Sequence, residues 1–191
     1  MKTEKTIVGN SREYLFGRIL PDNCICAEIG VRTGDNADRI LTLSNPKELY
    51  LIDPWDWFKV KNEPDPEQMS KIYNMEEWYQ RVKNKYINKD NVKIIRESSV
   101  ESSKQFEDEY FDWVYIDAAH DYLSVKEDCE SWWSKIKQGG YLCGHDYRLN
   151  EEKEGGVTKA VNEFLIKNNL ELYYKGDEQG DTSEWCTSIK K

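Results

Sequence analysis

The stretch of sequence that decides the fold spans residues 25–34 and reads ICAEIGVRTG. Its first five residues form a short, mostly apolar run, which predicts a buried strand ending before Gly30. Gly30 and Gly34 then predict a tight turn into a helix, where a ligand can approach the backbone closely. An ordinary strand-to-helix turn carries the same two glycines, so this stretch predicts the local structure and leaves the ligand open.

Outward from this turn, the chain alternates between strand and helix patterns. Further apolar runs predict strands at residues 49–52, 92–95, 111–116, 141–143, 170–174 and 185–189. Helical spacing occurs at residues 13–20, 36–43, 76–87, 100–106, 125–136 and 160–166, the fifth of these helices ending at the glycine pair 139–140. Such alternation favours parallel strands with helices on both faces. We expect an α/β, doubly wound, mostly parallel sheet of seven strands with an antiparallel C-terminal hairpin.

Length and composition favour a single folded domain over residues 1–191. Within it, residues 1–24 are expected to be an N-terminal helical segment and residues 54–90 an insertion. The net charge of -9 comes without a dense Lys/Arg cluster, which argues against a nucleic-acid partner. No membrane-length apolar run and no signal peptide are found, so we expect no membrane partner and a cytoplasmic location. The five cysteines are expected to be reduced packing residues.

The insertion is rich in aromatic side chains, namely Trp55, Trp57, Phe58, Tyr73, Trp78 and Tyr79. They are expected to form a lid and an acceptor pocket over the strand ends. A satellite hydrophobic cluster is an equally good interpretation of the same residues. Aromatic side chains can stack on sugars and on other aromatic rings alike, so these residues do not identify the acceptor molecule.

Residues that directly follow the strands are the candidates for ligand binding, because ligands of doubly wound sheets bind beyond the carboxyl ends of the strands. Asp53 follows the second strand, where an acid can accept both hydroxyls of a ribose; a helix cap or loop acid is the alternative. Ser98 and Ser99 follow the third strand and can bond an adenine edge, although helix capping by Ser99 is equally plausible. Arg32 stands where a dinucleotide site requires a glycine, which favours a nucleoside without a pyrophosphate.

The densest polar group follows the fourth and fifth strands, in the stretches DAAHDY at residues 117–122 and GHDY at residues 144–147. Both histidines of the chain lie here. Neighbouring strands are expected to bring Asp117, His145 and Asp146 together, and two carboxylates with an imidazole can hold a divalent cation. Helix capping by the acids and hydrogen bonds from the histidines to backbone carbonyls are the alternative.

Taken together, these motifs resemble the class I S-adenosylmethionine-dependent methyltransferases. The resemblance rests on AEIGVRTG at 27–34, LIDPW at 51–55, FDWVYIDAAHDY at 111–122 and GGYLCGHDY at 139–147. It is strongest for a small bacterial branch related to macrolide-sugar and other natural-product O-methyltransferases, and it extends from residue 27 to the C-terminus. It implies a Rossmann-like fold, S-adenosylmethionine as cofactor and a small-molecule or sugar hydroxyl as acceptor.

The resemblance also implies roles for individual residues. The methionine part of the cofactor would contact Glu28, Gly30 and Gly34, and the cofactor-binding residues would further include Asp53, Trp55, Ser98, Ser99 and Asp117. Of these, Asp53 would bind the ribose, Ser98 or Ser99 would lie near the adenine, and Trp55 would stack on the cofactor.

In the cation-dependent O-methyltransferases, the acid that ends strand four and two residues that end strand five bind the metal. These positions correspond to Asp117, His145 and Asp146, with Mg²⁺ or another divalent cation as the expected metal. Their general base is often a lysine three residues after the first ligand, where this chain has His120. His120 and Asp117 are therefore the expected catalytic residues, and both His120 and His145 depart from the family pattern.

Two other functions compete with this interpretation. A nicotinamide-dependent oxidoreductase would need the missing central glycine and a Tyr/Lys pair that the sequence does not offer. A catalytically inactive methyltransferase-like protein, which binds a nucleoside or a partner, would retain Asp53 and tolerate the altered His120 and His145. Because the loops are short and no separate substrate domain is expected, a homodimer in which a second subunit helps to close the pocket is also possible.

Overall fold

A computed structural model of the chain describes residues 7–9, 12–56, 74–147, 156–176 and 183–190. The strands are β1 Ile7–Gly9, β2 Ile25–Ile29, β3 Glu48–Ile52, β4 Val92–Ile95, β5 Phe111–Ile116, β6 Ile136–Tyr147, β7 Leu172–Gly176 and β8 Ser183–Thr187. The helices are α1 Arg12–Tyr14, which continues as a π-helical turn Leu15–Ile19, α2 Asp35–Leu43, α3 Met75–Tyr86, α4 Ser99–Ser103, α5 Tyr122–Trp133 and α6 Gly156–Lys167.

All described strands join one sheet in the order β1-β7-β8-β6-β5-β2-β3-β4. β8 runs antiparallel to β6 and β7, and the other pairs are parallel. The predicted doubly wound sheet with its antiparallel C-terminal pair is therefore confirmed. The strand order switches direction at β2, which has β3 on one side and β5 on the other, and ligands of such sheets bind beyond the strand ends at this switch point.

The sheet has one strand more than the seven that the sequence predicts. β1 lies inside the segment expected to be helical and pairs in parallel with β7, Ile7 opposite Tyr174. β-Branched residues such as Ile7 and Val8 favour strands, and the open edge of β7 offers them backbone partners. The N-terminal segment is thus a short strand followed by a helix, in its described part.

Helices cover both faces of the sheet, and successive strand residues point to opposite faces. In β5, Trp113 and Tyr115 face one core with α1, α2 and α3, while Val114 and Ile116 face the other core with α5 and α6. All four side chains are buried. Burial of one large apolar side chain contributes about 1.5–3 kcal/mol, so these two cores hold the strand ends in fixed positions.

The predicted fifth strand, residues 141–143, is too short at both ends, because β6 spans Ile136–Tyr147. The fifth helix ends at Trp133 rather than residue 136, and β6 already begins at Ile136 and includes the glycine pair. Gly139 and Gly140 do not stop the helix because they pair with the C-terminal segment, where Gly139 N donates to Lys190 O at 2.7 Å and Lys190 N donates to Gly140 O at 3.0 Å. The Lys190 ammonium instead caps the helix end, donating to Trp133 O at 3.0 Å.

Two further expectations can be compared with the structure. All five cysteines are free and buried, as the sequence predicts. No helix in the described part of the chain is long and apolar enough to cross a membrane.

Candidate active site

The site lies at the switch point, where the turn after β2 presses against the end of β5. Gly30 has a φ of +90°, and a Cβ atom on it would lie 2.2 Å from the carbonyl oxygen of Asp117. Backbone hydrogen bonds fasten the same place, from Gly30 N to Ile52 O at 2.9 Å and from Asp117 N to Ile29 O at 2.8 Å. Only glycine fits this contact, so the ends of β2, β3 and β5 meet at one point.

Glu28 is the most deeply buried acid of the site, at 1% exposure. Its Oε1 accepts a hydrogen bond from Asn36 Nδ2 at 3.0 Å. Among the described residues, its Oε2 has no hydrogen-bond partner, and the same holds for Asn36 Oδ1 and the hydroxyl of Tyr115 on the neighbouring strand. Burial raises the pKa of Glu28 to about 8, so the carboxyl group is mostly protonated at neutral pH. Buried polar atoms without partners indicate a place where a ligand supplies them.

Asp53 fastens the glycine turn. Its Oδ2 accepts from the backbone N–H groups of Val31 and Arg32, each at 2.9 Å, and its Oδ1 accepts from Trp55 N at 2.7 Å. Burial raises the pKa of Asp53, and the three backbone donors oppose that rise. Oδ1 keeps one acceptor position, which is the one that a ribose hydroxyl could use. Ribose binding by Asp53 stays a prediction. The structure adds a second role, in which Asp53 holds the backbone of the glycine turn.

Trp55 packs into the core in this structure. Its side chain is 2% exposed, its Nε1 donates to Arg32 O at 2.8 Å, and its ring lies 5.1 Å from the ring of Tyr79. Trp78 and Tyr79 also pack against this core from α3. The buried ring has little face left for stacking on a cofactor, so the stacking role of Trp55 finds no support here.

The described part of the aromatic insertion therefore fits the hydrophobic-cluster interpretation. Arg32 lies over the ring of Trp78 at 5.1 Å, and Arg96 lies over the ring of Tyr79 at 4.3 Å. Trp57, Phe58 and Tyr73, which were expected in the lid, lie outside the described residues.

The two serines after β4 have different environments. Ser98 is the N-cap residue of α4 but makes no side-chain cap hydrogen bond. Ser99 Oγ accepts a hydrogen bond from Trp132 Nε1 at 2.9 Å, so it supports a buried indole and does not cap the helix. Capping by Ser99 is therefore wrong, and contact of either serine with an adenine stays a prediction.

The polar residues that follow β5 and those in the last residues of β6 converge as expected. Ligand atoms of Asp117, His120 and Asp146 all lie within 4.8 Å of one another, and the described residues form no second group of this kind. His120 Nε2 lies 3.1 Å from Asp146 Oδ2 and 3.6 Å from Asp117 Oδ1. Asp146 has a φ of +62°, a strained conformation that costs on the order of 1–3 kcal/mol and is typical of functional sites.

His145 borders the same group from its other side. Its Nδ1 lies 3.1 Å from Asp146 Oδ2 and 4.0 Å from Asp117 Oδ1. Both imidazoles thus reach the two carboxylates, whereas the sequence placed only His145 among the ligands. A small pocket adjoins the cluster, lined by Ile116, Asp117, Ala118, Ala119, His120, Val125, His145, Val157 and Trp185.

Two charged residues of the site escape sequence analysis. Arg12, at the start of α1, places Nη2 3.4 Å from Asp117 Oδ2 and Nε 3.1 Å from Glu184 Oε1. Glu184 Oε1 also lies 3.5 Å from His145 Nε2. Contacts of at most 3.6 Å between ionisable side chains therefore connect Arg12, Asp117, His120, Asp146, His145 and Glu184 in a closed ring. A charged residue inside the apolar pattern of β8 is the only sequence signal for Glu184, and Arg12 has none.

Comparisons with known proteins identify a family for the sequence and similar folds among solved structures. The sequence matches the family described as Methyltransferase domain over residues 27–147. No curated protein matches the chain.

Several solved structures are similar at low sequence identity. Fibrillarin from Aeropyrum pernix, in complex with natively bound S-adenosyl-L-methionine, has a TM-score of 0.64 at 13% identity, covering 92% of this chain and 72% of that one. N-methyltransferase NodS from Bradyrhizobium japonicum has a TM-score of 0.61 at 14% identity, covering 89% and 88%. An O-methyltransferase family protein from Burkholderia thailandensis has a TM-score of 0.63 at 10% identity, covering 92% and 52%, so the chain spans about half its length. At sequence identities this low, the similarity shows a shared fold and nothing further.

Proposed function

Because this chain belongs to the Methyltransferase domain family and is an S-adenosylmethionine-dependent methyltransferase, we propose that it methylates a hydroxyl group of a small molecule, such as a sugar or natural product. The convergence of Asp117, His120 and Asp146 at the ends of neighbouring strands carries this proposal. A hydroxyl acceptor has a high pKa and must lose its proton for transfer, and this cluster offers groups that can assist that loss.

The residues around the glycine turn fit the cofactor. S-adenosylmethionine supplies an electrophilic methyl group when it is bound. Its methionine part would lie against Gly30 and Gly34, where the partnerless Oε2 of Glu28 and the hydroxyl of Tyr115 are buried nearby. Asp53 would hold the ribose through the remaining acceptor position of Oδ1. The enzyme's main task is alignment, because methyl transfer is an in-line displacement.

The carboxylates and imidazoles at the carboxyl ends of β5 and β6 fit a divalent cation. Two carboxylate oxygens and an imidazole nitrogen suit Mg²⁺ or Mn²⁺, and the nitrogen donor favours Mn²⁺ of the two. Such a cation, when bound, lowers the pKa of a hydroxyl that contacts it. Asp117 and Asp146 would hold it, with His145 Nδ1 as a third ligand within 4.0 Å of both carboxylates.

His120 would then act as the base. Its side chain is 56% exposed and lies on the loop after β5, so the ring has room to turn from Asp146 towards an acceptor. In the proposed step, a ring nitrogen of His120 takes the hydroxyl proton and the acceptor oxygen bonds to the methyl carbon. The carbon–sulfur bond breaks with its electron pair on sulfur, leaving S-adenosylhomocysteine, the methyl ether and a protonated His120.

Calorimetric titration of S-adenosylhomocysteine, with and without excess Mg²⁺ or Mn²⁺, tests the cofactor part. We expect binding that is lost in Asp53→Ala and kept in Asp90→Asn, an exposed acid at the opposite end of the sheet. No binding of S-adenosylhomocysteine under any condition would contradict the proposed site.

A panel of sugar, phenol and amine acceptors with labelled cofactor tests the acceptor class. Turnover with hydroxyl acceptors, stimulated by the cation, is the expected result. Transfer to amines alone would overturn O-methylation. Cofactor binding without turnover on any acceptor would favour the inactive, nucleoside-binding alternative.

A further inference from the structure

We propose that Arg12 is a built-in counter-ion of the strand-end carboxylates, and that it weakens divalent-cation binding by sharing Asp117 with the cation. This role depends on the cation site proposed above and adds a residue that controls it. Arg12 lies in α1, Asp117 in the loop after β5 and Glu184 in β8.

The two oxygens of Asp117 face different partners. Oδ2 lies 3.4 Å from Arg12 Nη2. Oδ1 faces the imidazoles, at 3.6 Å from His120 Nε2 and 4.0 Å from His145 Nδ1. A cation held with Asp146 would therefore meet Asp117 through Oδ1, while Oδ2 remains on the guanidinium. Both positive charges would then act on one carboxylate.

Arg12 is held firmly in this position. Its side chain is only 20% exposed, its Nε lies 3.1 Å from Glu184 Oε1, and its guanidinium carbon lies 5.8 Å from the ring centre of Tyr115. An arginine keeps its charge at every pH that a protein tolerates. The partly buried setting screens this charge less than bulk water does. The positive charge next to Asp117 is therefore permanent.

For cation binding, the repulsion between Arg12 and the cation should outweigh any benefit from Arg12 orienting the Asp117 carboxylate. The repulsion between the guanidinium and a bound cation scales with the product of their charges. A divalent cation therefore meets twice the repulsion that a monovalent cation would meet at the same distance. The backbone of Asp117 is already fastened by its N–H to Ile29 O at 2.8 Å. Removal of the guanidinium should thus tighten cation binding, while removal of the Glu184 charge should weaken it by leaving Arg12 less neutralised.

The test is Mn²⁺ binding to the full chain, followed by electron paramagnetic resonance of free Mn²⁺ at low ionic strength, without cofactor or acceptor. We expect Arg12→Gln to bind Mn²⁺ about tenfold more tightly than the unchanged protein, and Arg12→Lys to stay near it. Glu184→Gln should bind more weakly. Lys167→Gln is the matched control, since Lys167 pairs with Glu130 on the surface between the last residues of α6 and α5.

An electrostatic role predicts tighter Mn²⁺ binding by Arg12→Gln and weaker binding by Glu184→Gln. A site that is merely disrupted would bind Mn²⁺ more weakly in both variants. Unchanged or weaker binding by Arg12→Gln, with normal binding by the unchanged protein, would overturn the role of Arg12 and leave the cation site intact. If neither protein binds Mn²⁺, the cation site and the role of Arg12 both fall, and S-adenosylhomocysteine binding still judges the cofactor site. If Arg12→Gln does not fold, Arg12→Met, which keeps the length of the side chain without its charge, takes its place with the same expected tighter binding.

Discussion

Gly30 and Asp117 are in backbone contact so close that no side chain can separate them. A Cβ atom on Gly30 would lie 2.2 Å from Asp117 O and 2.6 Å from the Cα atom of Ala118. These atoms belong to backbone and cannot move aside as a flexible side chain could. The contact joins the glycine turn after β2 to Asp117, the first residue of the polar cluster. The two halves of the site therefore depend on the same backbone contact.

We predict that Gly30→Ala costs about 3 kcal/mol of stability or more and abolishes S-adenosylhomocysteine binding, because positive φ and a backbone clash act together. Gly139→Ala is the matched control. Gly139 has a φ of +81°, but no atom of the described residues lies within 4 Å of its Cβ position, so strain alone should cost about 1 kcal/mol. Urea unfolding and calorimetry measure both effects. Equal costs for the two variants would show that the close contact is unimportant.

Glu28 should make the protein less stable as the pH rises. Its pKa in the folded state is about 8, above the ordinary value of 4.5, so the folded state binds more protons than the unfolded state between these limits. Stability then falls as the pH rises through this window, by on the order of 3–5 kcal/mol from this group alone.

Urea unfolding of the unchanged protein and of Glu28→Gln at pH 5, 6, 7 and 8 tests this prediction. The difference in stability between the two should grow in favour of Glu28→Gln with rising pH. Glu127→Gln, at an exposed position of α5, should follow the unchanged protein. Parallel pH profiles for all three proteins would show that folding does not raise the pKa of Glu28.

The order and type of most elements could be predicted because parallel strands buried on both faces leave continuous apolar runs in the sequence. The start of β6 could not, because Gly139 and Gly140 have the pattern of a helix stop. Their actual environment depends on Lys190, which pairs with them from the far end of the chain. Local patterns carry no information about that partner.

The same distinction applies to the site. Asp53, Asp117 and Asp146 could be predicted because residues at or directly after the carboxyl ends of parallel strands gather at one edge of the sheet. The pairing of Arg12 with Glu184 spans 172 residues, and Glu184 reaches the site only because β8 pairs with β6 in the sheet. The burial of Trp55 likewise depends on its tertiary contact with α3, which its place in a proline-rich, aromatic stretch does not reveal.

Trp55 is predicted to support the fold more than it contacts the cofactor. Trp55→Ala should cost about 3–5 kcal/mol, as expected for loss of a fully buried indole. Trp78→Ala, at a half-buried position of α3, should cost about 1 kcal/mol. Urea unfolding gives both values. A small cost for Trp55→Ala together with a large loss of S-adenosylhomocysteine affinity would restore the stacking role.

The two histidines are predicted to have different roles despite their similar distances to Asp146 Oδ2, 3.1 Å for each. His145 is mostly covered and lies between Asp146 and Glu184, a fixed position that suits a ligand. His120 is exposed on a loop, which suits a base that moves. His120→Ala should therefore lower kcat by about 100-fold or more and leave Mn²⁺ affinity little changed.

His145→Ala should instead weaken Mn²⁺ binding, and excess Mn²⁺ should restore part of its activity, since mass action can offset a lost ligand but not a lost base. Steady-state kinetics with an acceptor found in the panel, and Mn²⁺ titration followed by electron paramagnetic resonance, measure the two effects separately. Loss of Mn²⁺ binding in His120→Ala with retention in His145→Ala would exchange the two roles, because the cluster of Asp117, His120 and Asp146 would then itself be the cation site.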